Sequence, residues 1–243
     1  PFKYAQENQM KNSQAFILGL GIVLAALVFG VFFYNTRAVD ETIQVVGAAT
    51  MRFDSDIVKW RVTLNRNTGM DNVSSGYRQV REDLNTLNEY LSAKGLEEDE
   101  ITEQPINSYQ RFGREGQPVG YNIQQSILVI TSKIDDIEEI ALNPSDLLDK
   151  GIILQSSNLE YFYSKLSDIK LELLSEGTTD ARYRADKIAE NSGKAVGDVV
   201  SLRAGVFQIK EPYSTEISDY GVHNTRSKQK EIMVTVRAEF KLQ

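Results

Sequence analysis

The chain opens with a long apolar stretch and then alternates between short periods. From Ala15 to Tyr34 no residue is charged and none is proline. Twenty such residues in a helix reach about 30 Å, the thickness of a bilayer's hydrocarbon core. A buried helix of a soluble domain keeps a polar face over that length. A cleaved signal has a shorter apolar region followed by a small-x-small site. Here Arg37 sits inside the only candidate site, Tyr34-Asn35-Thr36-Arg37-Ala38, so a retained anchor is expected. Loss of an initiator Met before Pro1 fits that expectation. Residues 1–14 then form a short cytoplasmic tail, 15–34 the membrane helix, and 42–243 a folded domain outside. Asp40–Glu41 are all that joins helix to domain.

Beyond the helix, the period is two. Thr42–Thr50 reads as a strand, and Asp56–Asn67 as a second with Trp60 on its apolar side, the two joined as a hairpin through Met51–Ser55. Val73, Tyr77, Val80, Leu84, Leu87 and Leu91 then step by three and four. They predict an amphipathic helix with Asp71 as N-cap and Gly95 as stop. Glu100–Phe112 and Val119–Ser132 follow as strands around the turn Gly113–Pro118. A helix comes next, with Ile134, Ile137, Ala141 and Leu148 inward and a break at Pro144, and then a strand over Ser156–Ser164. Leu166–Ser192 is helical, interrupted at Gly177, with Ala181, Ala185, Ile188 and Ala189 on one face. Strands at Asp198–Ile209 and Glu231–Leu242 flank a polar loop from Lys210 to about Lys230. The order ββ-α-ββ-α-β-α-ββ predicts an α+β domain, with helices packed on an antiparallel or mixed sheet.

Charge enters next. The net charge is −7 and the pI about 5.0, which argues against nucleic acid as a partner, because phosphate binding wants a basic face. The chain has no cysteine, so disulfides, thiolate zinc sites and thiol catalysis are excluded. Lys3 and Lys11 precede the apolar run, while Arg37, Asp40 and Glu41 follow it. That balance favours an inner N-terminus and an outer domain. Within the run, Gly21/Ala25 and Ala26/Gly30 are small-xxx-small pairs. With Gly19 they form a face on which helices can approach closely.

Candidate chemistry is sparse. His223 is the only histidine. It lies four residues after Asp219 and near serines, but no G-x-S-x-G turn exists to present a nucleophile, so an exposed loop histidine is expected. The acidic run Glu97–Glu103 lacks the spacing of a calcium loop and reads as a solvated turn. No catalytic, cofactor-binding or metal-binding residue is assigned. Two stretches suit contacts with other proteins. One is the 112–118 hairpin with Tyr109, Arg111, Phe112 and Arg114. The other is the long loop carrying Tyr213, Ile217 and Tyr220, too apolar for a plain linker.

Several segments together resemble the SIMPL-domain family of bacterial envelope proteins. They are IQVVGAATMRFDSDIVKWRVTL, YNIQQSILVITSKIDDIEEI, LLDKGIILQSSNLEYFYS, DARYRADKIAENSGKAVGDVVSL and EIMVTVRAEFKL. In the fourth, Asp180, Ala181, Ala185, Ile188, Ala189, Gly193, Gly197 and Val199 fall where that family's alanine-rich helix, glycine turn and strand lie. The resemblance implies an α+β fold, a periplasmic or cell-surface location, and assembly into homo-oligomers, which in some relatives look like rings or cages; it supplies no catalytic residues. The retained span, where many relatives have a cleavable signal, places the domain at the outer face of the bacterial inner membrane. The expected partners are the lipid bilayer, further copies of the chain and an envelope protein. Two functional readings stay open: a non-enzymatic oligomeric scaffold or channel-like ring, and a partner- or ligand-binding module in oxidative or envelope stress.

Overall fold

The computed structural model describes residues 2–36 and 41–243, with side chains of the first helix described over 16–34. Pro1 and most of the join between helix and domain, Asp40 included, lie outside the described residues, as do the side chains of the tail. The chain divides into two compact units: Pro1–Gln44, Ala185–Ser201 and Glu239–Gln243 in one, Val45–Arg184 and Leu202–Ala238 in the other.

The first unit holds helix α1 (Phe2–Thr36), which runs unbroken through the apolar stretch. Residues Phe16–Tyr34 have a mean hydropathy of 2.8, and none is buried, so this helix is long and apolar enough to cross a membrane. The same unit ties chain ends together. The Ala195 and Gln243 amides each donate to the other's carbonyl at 2.9 Å, the Leu242 amide donates to the Glu41 carbonyl at 2.8 Å, and Lys194 pairs with Glu41.

The fold is α+β, with two mixed or antiparallel sheets. One carries β1 (Thr42–Asp54), β10 (Gln229–Leu242), β8 (Gln208–Lys210) and β9 (Val222–His223) in that order, with β7 (Val196–Ala204) also on β10. The other carries β3 (Ile101–Glu103), β5 (Pro118–Thr131), β2 (Ile57–Thr68) and β6 (Leu154–Phe162), with β4 (Asn107–Phe112) beside β5. The second sheet is therefore a continuous insertion between β1 and the rest of the first sheet.

That topology corrects the expected opening hairpin. β1 and β2 do not pair; the chain crosses from one sheet to the other at Ser55–Asp56. Asp56 anchors this crossing: its carboxylate accepts from the Ser164 amide at 2.7 Å and hydroxyl at 2.5 Å, just past the end of β6. Two predicted strands are each divided. Residues 100–112 split into β3 and β4 around Pro105, which has no amide hydrogen to give to a ladder. Residues 198–209 split into β7 and β8, with Gly205 between them donating to the Thr235 carbonyl at 2.8 Å.

Helices cover the insertion. α2 (Val73–Ala93) begins after a single 3-10 turn and stops before Gly95, which takes the left-handed conformation at φ +90. Its Leu84, Leu87 and Leu91 pack with Trp60 and Val62 of β2 and Ile127 and Val129 of β5. α3 (Ile134–Leu142) and α4 (Ser145–Asp149) flank Pro144 and complete that core through Ile137, Ile140 and Leu147. Leu148, expected inward, is exposed, and Leu147 is the buried residue. The break at Pro144 restarts the helical phase and turns its neighbour in.

α5 (Leu166–Asn191) is continuous, so Gly177 does not interrupt it. Its reason is close packing. A Cβ added at Gly177 would meet Val236 at 3.0 Å, and one added at Gly47 of β1 would strike the backbone of Gly177 and Ala181. Gly47 lets the helix backbone at Gly177 and Ala181 lie almost directly on the strand, and Gly177 leaves room for Val236. The Ala48 amide seals this contact by donating to Asp180 at 2.8 Å, which with Arg184 at 2.7 Å holds that carboxyl below the usual range. Ala181, Ala185 and Ala189 are buried as expected; Ile188 is exposed and stands off that face.

The contact separates two substitutions. Gly47→Ala must push backbone against backbone and is expected to lower unfolding free energy by about 3 kcal/mol. Gly177→Ala meets only a movable Val236 side chain and gains about 1 kcal/mol of helix propensity, so it should change stability by less than about 1 kcal/mol. Urea denaturation of both variants checks the difference.

Candidate functional site

The residues between β8 and β10 are expected to be loop. They contain β9, parallel to β8 with Gln208 opposite Val222 and Ile209 opposite His223. The loop is held from below by side chains that the strands point inward. Along β10 every second residue is buried: Lys230, Ile232, Val234, Val236, Ala238 and Phe240. Lys230 thus occupies a core position, and its ammonium donates to the carbonyls of Asn224 at 2.6 Å and Ser227 at 2.8 Å. Burial holds its pKa below the ordinary lysine value. Lys210 does the same for Ser214 at 2.5 Å, and the Gln208 amide bonds the backbone of Ser218 in both directions, at 2.7 Å and 3.2 Å.

The far end of the loop reaches the inserted sheet. Thr225 accepts from the Tyr161 amide at 2.7 Å, and Lys228 accepts from the Ser55 amide at 2.9 Å. The Lys228 ammonium bonds Asp135 at 2.6 Å and Glu138 at 3.3 Å, and these two carboxylates raise its pKa. Burial, reinforced by its bond to Glu138, raises that of Tyr161. A loop with this many fixed carbonyls is a scaffold for what it exposes. What it exposes is Tyr213, Ile217 and Tyr220, at 84%, 68% and 97%. Tyr213 sits at φ +66, a left-handed conformation uncommon for an aromatic residue. Arg52 braces it, lying 4.4 Å over the ring while also bonding Glu231 at 3.0 Å.

Tyr109, Arg111 and Phe112 lie on β4 and Arg114 in the turn beyond. All four are exposed, and the hairpin with β5 forms as expected. Among the described residues, no hydrogen bond or ion pair joins this tip to the Tyr213–Tyr220 loop. On α1, Gly19, Gly21, Ala25, Ala26 and Gly30 are all exposed. The Ala26/Gly30 pair lies in a concavity of about 500 Å³ with Val23, Leu27, Val31 and Tyr34.

His223 is exposed and lines an open polar concavity of about 820 Å³ with Glu211, Glu216 and Arg226. Among the described residues it bonds neither Asp219 nor a serine, and no cluster of histidine and carboxylates has the form of a metal site. The acidic run is partly structural: Glu100 accepts from Thr131 at 2.5 Å and from the Glu97 amide at 2.8 Å. Sequence reasoning missed Lys210, Lys230 and Arg52. Lys230 had a legible signal, since it keeps step with the buried positions of its strand.

The SIMPL family model, described as a protein of unknown function (DUF541), matches residues 43–240. No curated protein matches the chain.

Removing the buried ammonium leaves two carbonyls without donors. Lys230→Met is expected to speed amide hydrogen exchange across residues 211–228, equivalent to about 1–3 kcal/mol of local stability. The pH dependence has a definite sign. With the folded pKa below the unfolded one, the unfolded state binds more protons in between, so wild-type stability gains there as pH rises toward about 10.4. Lys230→Met lacks that gain, so the gap between the two proteins should widen over that window.

Proposed function

This chain belongs to the SIMPL family, and from that premise we propose that it is a membrane-anchored, self-assembling envelope protein whose extracytoplasmic domain acts as a non-enzymatic scaffold. The single observation that carries this reading is the helix. Fourteen large apolar side chains between Phe16 and Tyr34 are exposed. Covering each is worth about 2 kcal/mol, and together on the order of 30 kcal/mol. That exceeds the whole stability of a typical domain, which supports a bilayer as their cover.

Only residues 37–40 separate the helix from the described domain, which keeps the domain at the membrane surface. Lys3 and Lys11 before the apolar run, against Arg37 alone directly after it, favour an outer domain. Assembly is supported by the concave Ala26/Gly30 face and by the exposed aromatic tips. Tyrosines supply large contact area at little entropy, and here the loop beneath them is already fixed.

Light scattering of the full chain in detergent tests assembly. The protein mass is expected at a multiple of 27.4 kDa over micromolar concentrations. Ile217→Ser with Tyr220→Ser should shift it toward one copy without changing the melting temperature, because both side chains are exposed. A single copy for the unmodified chain would refute the scaffold.

A further inference from the structure

A groove follows α2 along its flank facing β3. Two concavities of about 490 Å³ and about 410 Å³ lie in it, and Glu103 lines both. Its apolar walls come from Leu84, Ile101 and Ile106. β3 is an edge strand: it pairs with β5 and, among the described residues, with no other strand.

Two features of the groove ask for hydrogen-bond donors. Gln125 is only 7% exposed. Its Nε2 donates to the Gln104 carbonyl at 3.1 Å, which fixes the amide's orientation, and its Oε1 is buried without a donor. Asn88 repeats the pattern: Nδ2 donates to Glu103 at 2.8 Å, and Oδ1 is buried without a donor. Buried acceptors left in this way are uncommon in folded proteins. The charge is also one-sided, with Glu89, Glu98 and Glu103 lining the groove against Arg81 alone.

We propose that this groove receives an extended peptide segment of a partner protein, one that carries basic side chains. The segment adds to the open edge of β3 through main-chain bonds, as edge strands elsewhere accept peptides. Its donors reach toward Gln125 and Asn88, and its basic side chains meet Glu103, Glu98 and Glu89. Arg81 sets the acidic groove's positive end. This site does not depend on self-assembly: it lies on the inserted sheet, away in sequence from both the membrane helix and the Tyr213–Tyr220 loop.

The test uses the full chain in detergent and a fluorescent short peptide alternating valine and lysine, with a valine–glutamate peptide for comparison. Anisotropy should show binding of the lysine peptide and not of the glutamate one. Glu103→Lys should weaken binding about tenfold and Arg81→Glu should tighten it. Both positions are exposed, and two opposite shifts cannot both come from unfolding. Bound peptide should slow amide exchange within Ile101–Glu103. Equal binding of both peptides, no binding, indifference to both substitutions, or protection confined to another face would each overturn the proposal.

Discussion

Water is a poor medium for the first helix of this protein. Its apolar side chains point in every direction around the axis, so no rotation or fold of the helix alone hides them. Packing them inside a small domain would need a core larger than the domain has room for; the described cores are already filled by β2, α2, β5 and α3, and by β1, α5 and β10. Placing the helix in lipid leaves those cores intact. The proposed self-assembly builds on that placement: copies of a domain held so close to a membrane would share a plane and meet at high local concentration.

Within the larger unit, close backbone contacts add to the two hydrophobic cores. Gly47 and Gly177 bring α5 onto β1, and the Asp180 carboxylate closes the gap by accepting the Ala48 amide. The inserted sheet is joined to the first through the 225–228 segment, where Lys228 pairs with Asp135 and Glu138. Lys210 and Lys230, both buried, spend their donors on loop carbonyls. An exposed tyrosine on such a loop loses little freedom when a partner covers it.

The parts legible in the sequence share a cause. The apolar helix, the Leu84–Leu87–Leu91 stripe, the Trp60 strand and the β4–β5 hairpin each follow from a local period or a turn. What was not legible depends on distant residues. β1 and β2 are adjacent in sequence and alternate well, yet they enter different sheets because their partners, β10 on one side and β5 and β6 on the other, lie far along the chain. Gly177 reads as a helix breaker until Gly47 is placed opposite it. Of the candidate contacts, the sequence names the exposed residues well, because exposure of a tyrosine in a polar loop is a local property. It misses Arg52 and the α2–β3 groove, because each needs two segments brought together.

Membrane extraction addresses the central claim directly. Membranes from cells making the full chain would be washed in alkaline carbonate, which strips surface-bound proteins and leaves spanning ones. The account predicts that the intact chain, with residues 16–34 still attached, stays in the pellet, while a chain starting at Glu41 is found in the soluble fraction. Recovery of the protein in the wash, or of a mature form lacking the helix, would contradict it.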